Sequence, residues 1–230
     1  MIWLLGAVGL LFIPRTLLCL KRGLTVKTRG YGSAWLPSLG LTVFFVATLA
    51  WIGFSMCLEI GIDTLPNLHP VFGIFLDSAA RVLPTLIALS LLFKQPAHAI
   101  RVLGLNQPIH LKFILGMFSL LLVIDQILRW AMGAMHTNDP GGGLSLGDSG
   151  LWGLAFTLLS ACLLAPVAEE ILYRGILFRS LRNRLGVLPA AVLSASIFAV
   201  LHFYDGYGLV SVGVFGFFCA LLYAGTGSLT

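Results

Sequence analysis

The chain has 230 residues, 58% of them hydrophobic and 10% charged, with a net charge of +5 and a mean hydropathy of +0.98. Soluble globular domains carry about 25% charged residues, so this composition excludes one and describes a polytopic membrane protein. No basic face is interleaved with aromatic residues as a nucleic-acid surface requires, which argues against a nucleic-acid partner and leaves the lipid bilayer as the surroundings.

Windows of about 20 apolar residues, the length that crosses a bilayer core, fall near 2–20, 35–60, 71–93, 113–135, 149–173, 187–204 and 209–224. The predicted fold is all-α, a polytopic membrane helix bundle of about seven transmembrane helices. The first window has no basic stretch before it and no small-residue cleavage site after it, so it reads as a retained helix and not a signal peptide.

Lys21, Arg22, Lys27 and Arg29 follow that first window; Lys94, Arg101 and Lys112 follow the third; Arg174, Arg179, Arg182 and Arg184 follow the fifth. The loops at 61–70, 136–148 and 205–208 hold neither lysine nor arginine. This alternation is the positive-inside pattern; it predicts an N-terminus outside and three basic loops in the cytoplasm, in what is expected to be the plasma membrane.

Two acid–base pairs lie within the windows. Asp77 and Arg81, and Asp125 and Arg129, are each four residues apart and able to meet on one helix face. They read as self-neutralised pairs turned to the bundle interior, or as the polar path of a transporter; each acid has its own base close by, and no inverted repeat is visible.

The stretch His136–Gly150, with Asp139-Pro140-Gly141-Gly142-Gly143, reads as an external loop punctuated by Gly and Pro. No linker suggests a second domain. The expectation is one membrane-embedded domain over 1–230, with N-terminal helices in 1–148 and a motif-bearing core in 149–230. Cys19, Cys57, Cys162 and Cys219 lie in four different windows without close spacing, which suits neither zinc knuckle nor disulfide framework and predicts small buried hydrophobes.

The most charged apolar stretch runs from Pro166 to Leu185 and contains Glu169, Glu170 and Arg174. Pro suits a first helical turn, so a helix or a kinked continuation is expected from Pro166, with both glutamates near its N-terminal end. Gly186 predicts a stop, and Val187 to His202 a following antiparallel helix. In such a hairpin Glu169 and His202 lie at nearly the same level, about 25 Å from the turn at 1.5 Å per residue, while the arginine-rich turn projects into cytoplasmic water.

Glu170 and Arg174 have the spacing of an ion pair. Glu169, about 100° further round the helix, is expected to stay available for a reaction. A carboxylate and an imidazole flanking one water are sufficient to polarise it for attack on a peptide carbonyl. Taken alone, the same residues also read as a buried salt bridge and a structural histidine, and Glu169, Glu170 and His202 as the three protein ligands of a catalytic zinc; no cofactor is otherwise expected.

Glu169-Glu170-x-x-x-Arg174, with Pro166 just before and Gly175 just after, and Phe198-x-x-x-His202 resemble the two motifs of the CAAX-protease and bacteriocin-processing (CPBP) family. These are intramembrane glutamic endopeptidases that include the type II CAAX prenyl proteases. The resemblance covers about residues 150–230. It implies that Glu169 activates water together with His202, that Glu170 and Arg174 orient the site, and that the substrate is a membrane-associated peptide or protein.

The family's further His-x-x-x-Asn motif, thought to help bind the oxyanion, is absent: Gly225-Thr-Gly-Ser-Leu-Thr230 resembles the approach to it. Either the natural chain continues, or activity is reduced, since one lost oxyanion donor costs about 100- to 1,000-fold. His69, His98, His110 and His136 lie in loops or at segment ends and are poor substitutes. Two rival expectations follow: a catalytically impaired membrane scaffold or immunity-type protein, and a transporter using Asp77, Arg81, Asp125 and Arg129.

Overall fold

The computed structural model describes residues 2–25, 36–64, 70–107, 111–133 and 150–229. In chain order the helices are α1 (Ile2–Leu10), α2 (Ile13–Thr25), α3 (Pro37–Thr64), α4 (Pro70–Leu92), α5 (Pro96–Leu103), α6 (Leu111–Ala131) and α7 (Gly150–Leu159). They continue with a π-helical segment π1 (Ser160–Leu164), α8 (Ala165–Glu169), a second π segment π2 (Glu170–Phe178), α9 (Arg179–Leu185), α10 (Val187–Val200) and α11 (Gly206–Thr226). No strand occurs among the described residues, so the all-α membrane bundle expected from composition is what forms.

Among the described residues four helical stretches are long and apolar enough to cross a bilayer: Pro37–Leu58, Leu111–Ala131, Leu154–Leu185 and Gly206–Thr226. The broken pair Ser78–Leu92 and Pro96–Leu103 makes a fifth if it counts as one span. Among the described residues the expected seven are not confirmed, for reasons of length. The first apolar window is cut at Leu11–Phe12 into helices of 9 and 13 residues. With 14 residues α10 is about 21 Å long, short of a hydrocarbon core of about 30 Å.

Side-chain burial is ordered as lipid demands. Large apolar residues point outward, among them Leu49 on α3, Leu91 on α4 and Val200 on α10, while small ones pack inside, as Ala80, Ala88, Ala190, Ala191 and Ala220 do. Small residues let helix backbones approach where hydrophobic exclusion gives no drive. Among the four cysteines only Cys19 is buried; Cys57 and Cys162 are exposed, because on lipid-facing helices a small apolar group is equally at home outside.

The chain folds as two compact units. The first comprises Met1–Ala34, Ile100–Pro140 and Leu181–Thr230. Within it α10 packs on α11, α2 on α11, and α1 and α2 on α6. The crossing of α2 with α11 is close enough that a Cβ on Gly23 would strike the Leu221 carbonyl, and one on Gly225 the Cys19 carbonyl. Ser119 ties α6 to α1 by donating to the Gly6 carbonyl at 2.7 Å.

The second unit comprises Trp35–Ala99 and Gly141–Ser180. Here α3 packs on α4 and π2, and α4 on α7, π1 and α8. A buried hydrogen bond of 2.6 Å from Ser78 Oγ to Ser160 Oγ joins α4 to π1.

Candidate active site

The glutamate motif lies in the second unit, on a helix that passes through Pro166 and does not begin there. Pro has no N–H to give and crowds the carbonyl four residues back; the turn ahead of it widens, and the Ala165 N–H bonds Ser160 O, five residues earlier. After α8 the helix widens again over Glu170–Phe178. Such π segments are rare and recur at functional sites.

Glu170 and Arg174 form the pair that their spacing predicts, Oε1 to Nη1 at 3.2 Å. The Arg174 side chain is 2% exposed and that of Glu170 28%. Tyr173 is buried between them in sequence, its ring edge-to-face on Phe44 of α3 at 5.4 Å.

Glu169 differs from expectation. Arg81 of α4 brings Nη1 to 3.5 Å from its Oε1, with side chains 32% and 22% exposed, so the second carboxylate also has a guanidinium beside it. The Arg81 guanidinium lies 5.6 Å from the centroid of the Trp51 ring on α3, a cation–π distance that fixes its direction. The side chain of Asp77, expected as the partner of Arg81, lies outside the described residues, as do His69, His110 and His136.

The arginines after the motif are not a water-exposed turn. Arg179 is 5% exposed and Arg182 1%, each with partners inside the protein, and of the group only Arg184 is exposed. Buried charge is tolerated only where it is paired or hydrogen-bonded, and the long stems let these heads fold inward. The helix then stops at Gly186, whose φ of 87° is one that side-chain-bearing residues rarely adopt.

The histidine motif lies in the first unit. α10 ends at Val200, and His202 follows in the turn, half-buried. Its Nδ1 is 2.7 Å from the Phe198 carbonyl. A carbonyl only accepts, so Nδ1 carries the proton and Nε2 is the nitrogen able to take one. The Phe198 ring meets the imidazole edge-to-face at 4.4 Å, and Tyr204 lies 5.6 Å away. Phe203, next in the turn, is left-handed with φ 53°.

In the same unit Asp125 and Arg129 form their expected pair at 2.9 Å. Among the described residues no group of three or more His, Cys, Asp or Glu side chains is arranged to hold a metal ion.

Helices with lipid-facing apolar surfaces, carrying paired acids and arginines and followed by a histidine of fixed tautomer, define an integral membrane protein with acid–base groups among its helices. Residues 151–230 match the family model described as Rce1-like, type II CAAX prenyl endopeptidase Rce1-like. This part of the chain, which contains Glu169, Glu170, Arg174, Phe198 and His202, is thus similar to the CAAX-protease family that its motifs resemble. No curated protein and no solved structure shows a significant match to the chain.

Proposed function

We propose that the protein is an intramembrane endopeptidase that hydrolyses a peptide bond near the membrane, with Glu169 and His202 activating the water and Glu170–Arg174 orienting the site. The reading rests on one observation above all: both motifs fall inside the single segment matched by the endopeptidase family model. The family's description suggests a membrane-associated, prenylated peptide as substrate. The distribution of basic residues supports an N-terminus outside, and the membrane proposed is the plasma membrane.

In this scheme the Glu169 carboxylate takes a proton from water, and the oxygen attacks the carbonyl carbon of the scissile bond. Nε2 of His202 accepts a hydrogen bond from the same water or from the intermediate. Collapse breaks the C–N bond, and the proton passes to the leaving amine. Such positioned acid–base groups contribute about 100- to 10,000-fold each.

The test is cleavage of membrane-proximal peptides, prenylated and not, by purified protein. Glu169→Ala and His202→Ala should each reduce turnover by at least about 100-fold, and activity should survive exhaustive chelation. Loss of turnover to a chelator with return on zinc would favour the three-ligand metal site. Equal cutting by both variants would remove the roles given to these residues.

A further inference from the structure

The histidine turn is held at one end by side chains that neither motif contains. On α6, Asp125 accepts three hydrogen bonds: Oδ1 from the Tyr207 hydroxyl and from Ser211 Oγ at 3.1 Å, and Oδ2 from Arg129 Nε at 2.9 Å. The Arg129 guanidinium stacks over the Tyr207 ring, 4.9 Å from its centroid. Tyr207 and Ser211 are one turn apart at the start of α11, so one carboxylate fastens the first two turns of that helix to α6. Carboxylates in membrane helices are costly and are retained for function.

The strand of chain between α10 and α11 is only residues 201–205, and His202 lies in it. Its far end is fixed further by Asp205, which caps α11 by accepting from the Gly208 N–H at 2.8 Å. Its near end is fixed by the Phe198 carbonyl on Nδ1. α11 also returns to the imidazole through aromatic rings: Phe215 lies 6.5 Å from Phe198, which lies 4.4 Å from His202. A turn this short transmits any displacement of the α11 start to the imidazole.

We propose that Asp125 is a positioning residue for His202: through Tyr207 and Ser211 it sets where α11 begins, and so where the short turn holds the imidazole. The proposal rests on the catalytic reading of His202. It extends the working parts of the protein beyond residues 151–230, since Asp125 and Arg129 lie outside the matched segment. Beside Asp125 lies a cavity of about 250 Å³, lined by Ser211, Phe215 and apolar residues of α6 and α11. Removing the carboxylate enlarges a space that a small external carboxylate can enter.

The experiment uses the full chain, labelled with ¹⁵N-histidine and held in lipid nanodiscs. The ring resonances of His202 are assigned by their loss in His202→Gln. In the wild type they should be a single narrow pair with Nδ1 protonated; in Asp125→Ala they should broaden or split. Turnover of a membrane-proximal peptide should fall on the order of 100-fold, the effect of misplacing a reacting group by about 1 Å, with KM nearly unchanged. Asp125→Asn, which keeps an acceptor for Tyr207 and Ser211, should retain most of the turnover, and sodium formate should partly restore Asp125→Ala.

Should Asp125→Ala not fold, Tyr207→Phe carries the same measurements, because it removes only the hydroxyl and leaves the ring under Arg129. Wild-type resonances together with wild-type turnover in these variants would overturn the proposal. So would lowered turnover with unaltered resonances and no response to formate. A wild type that cuts no peptide would sink the protease reading alone, because the resonances still decide whether Asp125 holds the imidazole.

Discussion

At the residue scale each glutamate of the motif has its own arginine, but the two pairs differ in kind. Arg174 is almost wholly enclosed and sits at 3.2 Å from Glu170, whereas Arg81 reaches Glu169 at 3.5 Å with both side chains partly open. Removing one partner of an enclosed pair costs about 3–5 kcal/mol, because the other charge is left in a poor medium. An open pair is worth about 1 kcal/mol or less. Glu170→Ala should therefore lower the unfolding midpoint in detergent sharply, while Arg81→Gln should leave it nearly in place and reduce turnover through misdirection of Glu169. A large loss of stability in Arg81→Gln with intact turnover would reverse that assignment. The enclosed pair was legible in the sequence because it is local, four residues apart on one helix. The Arg81–Glu169 contact was not, since its partners are 88 residues apart and nothing in a linear pattern says which helices become neighbours. The same holds for Tyr207 with Asp125, separated by 82 residues.

At the scale of elements the informative feature is the widened helix around Pro166. Hydropathy announces the helix and Gly186 its end, but periodicity alone cannot distinguish a π turn from an α turn, so a helix start and a kinked continuation at Pro166 both stood open, and the continuation is what forms. Pro166→Ala restores an N–H at that position and removes the ring from the carbonyl four residues back. The α-helical register can then run on through Ser160–Leu164, turning Glu169 and Glu170 away from Arg81 and the neighbours of Arg174. The expected result is equal or higher thermal stability with turnover reduced about tenfold or more, on the scale of lost orientation. Unchanged turnover would mean that the widened turns do not aim the glutamates.

At the scale of the molecule, composition predicted the class of fold well, because burying backbone polar groups in lipid leaves helices and closed barrels as the only spanning structures. The number of crossings was less legible, since apolar windows do not reveal a break such as Leu11–Phe12 or the short reach of α10. The proposed orientation rests on charge alone and is open to test with single cysteines on a cysteine-free background. A membrane-impermeant thiol reagent applied to intact cells should label a cysteine at position 138 and spare one at position 30. The reverse pattern would invert the orientation proposed here.

The hydrogen bond from His202 to the Phe198 carbonyl has a consequence for covalent chemistry. An imidazole with Nδ1 engaged by its own backbone offers one nitrogen to an acylating reagent. Diethyl pyrocarbonate should therefore add a single ethoxyformyl group at His202, on Nε2, and hydroxylamine should remove it with full recovery of turnover. A bis-adduct with an opened ring, visible by mass spectrometry, would require that the tether to the helix end had already let go.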